Sequence, residues 1–274
     1  MNGCLKVLIV IAASSLAGCN SSSQHSVAAI DAMNKPASTP TQMDWERFGS
    51  LRIAFGHQSV GFNLMAGVAT LAAEQQRSVT ITETRESFAA PGIHHFKVGS
   101  NGDPAGKLTD FEAAMNSGLA QSSDIALLKF CYIDFEADDD PRQLAAAYIA
   151  ELAKLSTQYP HTRFAPVTAP LTTVQAGPKA WLKQLIGRTP AGYASNARRH
   201  AFNQALREYY GATGALFDIA ALESASGQVN VNYQNQRIEA LDPGLTDDGG
   251  HLNSRGQRLI GGALVHHLAS IESQ

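Results

Sequence analysis

Apolar residues along this chain change their spacing repeatedly, and the changes divide it into strands and helices. Short apolar runs at residues 51–55, 79–82, 124–130, 163–168 and 215–219 predict buried strands. Between and after them, apolar positions recur at helical intervals. This spacing predicts helices over 60–73, 107–119, 141–155, 195–210 and 254–270. Asp140 before Pro141 reads as an N-cap, and Ser254 with Gln257 fits a capping box. Phe202, Leu206 and Tyr209 fall on one helical face. A long Gly-rich loop fills 83–106. Strand–helix alternation from residue 50 onward predicts an α/β domain with a mainly parallel sheet and helices on both faces. No Pro/Gly linker interrupts residues 44–274, which read as one domain, and no repeat of 20–50 residues is present.

Composition narrows the class. The 274 residues are 44% hydrophobic and 16% charged, enough apolar mass to fill a core. The net charge of −3 offers no basic surplus for phosphates, which argues against a nucleic-acid partner. The N-terminus is different in kind. Lys6 precedes an apolar run over 7–13, too short to span a bilayer, and then Leu16-Ala17-Gly18-Cys19. That ending resembles the bacterial lipobox. The resemblance implies a signal peptide over 1–18, acylation of Cys19 and anchoring to a membrane; Asn20 points to the outer membrane of the cell envelope. Residues 19–43 then form a Ser/Thr/Pro-rich tether. Cys4 leaves with the signal and Cys19 carries lipid, so Cys131 remains as the one unmodified cysteine.

Two segments carry candidate chemistry. Gly56-His57-Gln58-Ser59-Val60-Gly61 follows the first strand, where a sharp strand-to-helix turn can project a serine hydroxyl beside free helix N–H groups. The other reading of Ser59 is a helix cap. Near the C-terminus, Asp248-Gly249-Gly250-His251 sets a carboxylate three residues before an imidazole on a Gly-rich turn. A carboxylate so placed can orient one ring nitrogen while the other serves a serine as base.

With both segments in hand, the chain resembles the SGNH/GDSL hydrolase superfamily. Its nucleophile follows the first strand and its Asp-x-x-His lies in the last block. Pro166-Val167-Thr168-Ala169-Pro170 and the run from Phe202 to Ile219 are softer echoes. The resemblance implies a three-layer α/β/α sandwich of flavodoxin-like architecture and a Ser59–His251–Asp248 triad. It implies hydrolysis of esters, often acetyl esters on carbohydrate, without cofactor or metal. The oxyanion donors it implies are the N–H of Ser59 and of Gly99 or Gly102, with Asn101 in place of an absent amide. The chain departs from the pattern: Gln58 replaces the family aspartate, and Lys129-Phe130-Cys131-Tyr132-Ile133-Asp134 lacks the Gly-x-Asn-Asp block.

Other residues read more plainly. His57 is a second imidazole of the site or a hydrogen-bonded loop residue. His94-His95 and His266-His267 lack metal-ligand spacing. Asp134, Glu136, Asp138, Asp139 and Asp140 read as a solvated acidic loop and cap rather than a calcium site. Cys131 reads as an inert buried thiol. Two alternatives stand beside the esterase: a non-catalytic lipoprotein that binds glycan or an envelope partner, and an α/β-hydrolase. The latter keeps its acid and histidine on separate loops.

Overall fold

The computed structural model describes residues 39–136 and 140–271. The expected signal peptide, Cys19, most of the tether, and Asp138 and Asp139 of the acidic loop lie outside the described residues. A five-stranded sheet organises the domain. Strand β1 (Arg52–His57) lies at its centre, between β3 (Gly92–Lys97) and β4 (Ile125–Leu128). Strands β2 (Ile81–Glu83) and β5 (Arg163–Pro166) form the edges, in the order β2-β3-β1-β4-β5. Every pairing is parallel.

Residue alternation along the strands feeds two cores. Ile53, Phe55, Ile125 and Leu127 pack under α1 (Gln42–Phe48), α2 (Ser59–Glu74) and the last helix, α8 (Ser254–Ser270). Ala54, Phe96, Ala126, Leu128 and Phe164 face the opposite layer. That layer comprises α3 (Pro104–Ala114, extended by a π turn through Leu119), α4 (Pro141–Gln158) and α6 (Tyr193–Tyr210). The result is the expected three-layer α/β/α sandwich. Between β5 and α6 stands α5 (Pro178–Leu185), and α7 (Ile219–Glu223) precedes an antiparallel hairpin of β6 (Asn230–Tyr233) and β7 (Gln236–Glu239).

Several expectations are corrected. Residues 83–106 are not one loop, because β3 forms inside them. Its Gly-Ile-His-His-Phe-Lys sequence lacks an apolar run, and its two histidines are buried by tertiary partners instead. The expected strand at 215–219 reduces to one bridge, Phe217 to Val167, because Asp218 turns the chain and caps Ala221 N–H. Tyr209 does not share the buried face of Phe202 and Leu206; it is exposed. Asn253, not Ser254, caps α8, its side chain accepting from Arg255 and Gly256 N–H. Helix α1 takes in Gln42 and Met43 from the expected tether, since Thr41 and Asp44 close a capping box. The α5 helix and the β6–β7 hairpin were not expected from the sequence.

Candidate active site

After β1 the chain runs to one side of the sheet, builds β2 and β3, and crosses back to β4 on the other side. Such a switch leaves a crevice at the carboxyl end of β1. Three loops meet there: His57-Gln58-Ser59 after β1, residues 98–103 after β3, and residues 129–136 after β4.

Ser59 is the first residue of α2, behind Gln58 in extended conformation. The Gln58 amide donates to both Val98 O and Gly99 O, 2.8 Å each, fastening the turn to the neighbouring loop. The Gln58 carbonyl accepts from Gly61 N–H. His57 Nδ1 also lies 2.8 Å from that carbonyl, and its Nε2 lies 3.1 Å from His95 Nδ1. A carbonyl only accepts, so His57 Nδ1 carries the proton and Nε2 accepts from His95 Nδ1–H. Burial pushes the His57 pKa down to about 3, so the ring is neutral. His57 is thus a buried support of the turn, the second of its two readings. Gly61 is required beside it: a Cβ there would come within 2.1 Å of the imidazole.

The second half of the site is the turn from Thr246 to Asn253. Asp248 Oδ1 accepts from Gly250 N–H at 2.9 Å and His251 N–H at 2.8 Å. Its Oδ2 lies 2.6 Å from His251 Nδ1. The Gly250 N–H first, then the His251 ring and N–H, hold the Asp248 carboxyl well below the usual range. The carboxylate therefore fixes His251 with Nδ1 protonated and leaves Nε2 bare. Tyr132, after β4, packs edge-on against the imidazole, ring centroids 5.7 Å apart, and against Gly250. Buried Arg199 holds this wall: it donates to Tyr132 O and Thr172 Oγ1 and pairs with Glu136. Thr173 N–H in turn donates to Gly249 O at 2.9 Å.

The two halves are joined through helices. Leu252 N–H, next to His251, donates to Asn63 Oδ1 at 3.2 Å. Asn63 lies one turn beyond Ser59 on the same face of α2. Deeper in, α2 and α8 cross on glycines: a Cβ on Gly67 would lie 1.9 Å from Gln257 O, and one on Gly261 within 2.8 Å of Gly67. Ser59 and the Asp248–His251 turn are therefore brought to one end of one helix pair. Ser59 Oγ itself hydrogen-bonds none of the described residues, His251 included.

The expected oxyanion donors are rearranged. Gly99 N–H donates to Asp110 Oδ2 and Gly102 N–H to Asp134 Oδ1, both at 2.8 Å, so neither stands free. Asn101 Oδ1 accepts from Lys107 Nζ at 3.2 Å, and the residue is exposed. The Ser59 N–H remains at the start of α2, where helix geometry supplies no acceptor. Asp134 is the buried hub of these loops. It pairs with Lys107 at 2.6 Å and also accepts from Cys131 N–H. Neither side chain is exposed to solvent. Below it, burial pushes the Lys129 pKa down to about 8 and that of Glu223 up to about 8. Glu223 accepts from Leu171 N–H at 2.6 Å.

Tyr132, Arg199, Lys107, Asn63 and His95 were not singled out from the sequence as parts of this site. No signal in the sequence marks Lys107 or Arg199, because the carboxylates that accompany their burial, Asp134 and Glu136, lie far from them in the chain. The adjacent histidines do not act as pairs. His94 stacks on Phe88 while His95 meets His57; His266 meets Asp44 while His267 meets Ala215 O. Cys131 is buried and unpaired among the described residues.

No family model and no curated protein matches the chain. Solved structures of similar course exist. A platelet activating factor protein from Streptococcus pneumonia is 15% identical, with a TM-score of 0.49, covering 89% of this chain and 99% of its own. A lipolytic protein of the G-D-S-L family from Desulfitobacterium hafniense is 12% identical, with a TM-score of 0.45, covering 78% and 97%. The periplasmic domain of a lipopolysaccharide acetyltransferase from Salmonella ser. Paratyphi A is 12% identical, with a TM-score of 0.44, covering 88% and 95%. At these identities and scores the likeness says nothing of chemistry.

Proposed function

We propose that this chain is a divergent SGNH-type serine esterase that acts in the bacterial cell envelope. The observation that supports it most is the Asp248–His251 pair, 2.6 Å apart, on a turn tied by Leu252 N–H to the helix that Ser59 begins. In this reading His251 Nε2 takes the Ser59 hydroxyl proton as Oγ bonds to the ester carbonyl carbon. The Ser59 N–H stabilises the oxyanion that forms. When the tetrahedral adduct collapses, the carbon–alkoxide bond breaks and His251 returns the proton to the leaving alcohol. Water, deprotonated by the same imidazole, then releases the acid and restores the serine. Asp248 stabilises the imidazolium in both halves. Ester substrates on an acetylated envelope glycan agree with the family resemblance. The lipobox-like Leu16-Ala17-Gly18-Cys19 favours attachment through an acylated Cys19 at the outer membrane.

The test is labelling by a fluorophosphonate probe, followed by turnover of aryl acetates and acetylated glycans. Labelling of the wild type that is lost in Ser59→Ala sustains the reading. A second reading, a glycan- or partner-binding lipoprotein without catalysis, is favoured by the engaged N–H groups of Gly99 and Gly102. It predicts an unlabelled wild type.

A further inference from the structure

Helix α5 is built with its apolar side outward. Trp181, Leu182, Leu185 and Ile186 recur at helical spacing and form one stripe. They are among the most exposed large apolar residues of the described chain, Trp181 at 63% and Leu185 at 66%. The side of the helix turned to the body carries Ala180, which is buried, and Lys183, whose Nζ donates to Gln175 Oε1 at 2.7 Å. An amphipathic helix of a soluble domain normally buries its apolar stripe and exposes its lysines. Here the arrangement is reversed.

The reversal is fixed by the backbone. Gly177 (φ +74°) starts the helix and Gly187 (φ +72°) ends it, each in the left-handed region and each facing open space. Gln175 N–H donates to Ala191 O at 2.9 Å and closes the base of the excursion. The stripe is thus held out from the domain by a short, closed segment.

Charge names the occupant. No Asp or Glu falls from Leu152 to Arg207; of the cations in that stretch, Lys154, Arg199 and Arg207 are paired with carboxylates elsewhere in the fold, whereas Lys179, Lys183 and Arg188 belong to the helix and its ends. Lys179 flanks the stripe, Arg188 follows it, and neither pairs with a carboxylate among the described residues. A second copy of this chain would bring cation against cation. An aromatic and aliphatic stripe rimmed by cations matches a lipid surface with anionic headgroups, where Trp sits at the boundary and long cationic side chains reach the phosphates.

We propose that α5 is an interfacial docking element that lays Trp181, Leu182, Leu185 and Ile186 into an anionic phospholipid surface. Two residues before Gln175, Thr173 N–H holds Gly249 O inside the Asp248–His251 turn. The helix and that turn are therefore joined through one short segment. The docking surface stands whether or not the turn is catalytic.

The experiment uses the mature chain, residues 19–274, carrying Cys19→Ser, so that neither the apolar run over 7–13 nor an acyl group contributes. Trp181 is its own reporter, because the other tryptophan, Trp45, is buried and donates to Gln75 Oε1. Phosphatidylethanolamine vesicles containing phosphatidylglycerol should shift the emission to the blue and carry the protein down on sedimentation. Phosphatidylcholine vesicles should do neither. Leu182→Ser with Leu185→Ser keeps the reporter and should weaken binding about tenfold or more. Lys179→Glu with Arg188→Glu should weaken it at low salt. All four side chains are exposed, so unchanged circular dichroism is expected. Absent binding, or binding indifferent to the leucine replacements, overturns the proposal. A blue shift that follows protein concentration without vesicles assigns the stripe to a second copy and overturns it equally.

Discussion

His57 gives a prediction that separates the stability of the nucleophile turn from its chemistry. The ring lies between Phe55 and Phe62, with centroids 4.7 and 4.9 Å away, and both its nitrogens are engaged. Protonating Nε2 would place a charge in the interior and lose the bond from His95. The folded ring titrates at about 3, chiefly through burial, whereas an unfolded imidazole titrates near 6.5. Between those values the unfolded chain binds more protons, so stability falls as pH falls. The linkage relation makes the loss about 2 kcal/mol from pH 7 to pH 5 and about 3 kcal/mol to pH 4. His57→Phe keeps the ring's shape and removes this titration. His267, also held down by burial, titrates in both proteins and its share cancels; His95 loses its acceptor in the variant, so the comparison is repeated in a His95→Phe background. Urea unfolding followed by circular dichroism at pH 7 and pH 5 gives the four free energies. Whatever the variant's stability at pH 7, its acid loss should be smaller by about 2 kcal/mol. An equal loss in both proteins would refute the burial argument for His57.

Asp248→Asn should lower esterase turnover by about a hundredfold or more while leaving the melting temperature nearly unchanged, since it removes the charge that orients the imidazole but keeps its shape. An added chelator should leave wild-type turnover unaltered, and rates measured with and without chelator check this. Gly67→Ala must push α8 from α2, given the 1.9 Å approach to Gln257 O. A destabilisation of about 1–3 kcal/mol is expected, with weaker fluorophosphonate labelling because Ser59 begins α2 and the turn holding His251 leads into α8. Asp134→Asn leaves Lys107 buried without its carboxylate, and urea unfolding should show a loss of about 3–5 kcal/mol. Cys19→Ser should convert a protein that needs detergent for extraction into one that high salt releases, as read by membrane fractionation.

The α/β class and the places of Ser59, Asp248 and His251 could be read from the chain because each depends on local order. Apolar runs, helical spacing, the turn after β1 and the three-residue step from Asp248 to His251 are all properties of neighbours. Even there the reading stopped at Ser254, because Asn253 caps α8 by a contact that propensity alone does not rank. Strand β3 escaped because its histidines are buried by Phe88 and His57, partners brought from other segments. The oxyanion loops escaped for the same reason. Whether Gly99 and Gly102 keep a free N–H depends on Asp110 and Asp134 arriving from elsewhere in the chain. Arg199 and Lys107 look like surface cations in the sequence and become buried hubs only when distant carboxylates meet them. The apolar stripe of α5 is the opposite case. Its run of eight residues is too short to be read as a helix, and spacing cannot say which side of a helix faces out; only the packing of Ala180 and Lys183 against the body decided that.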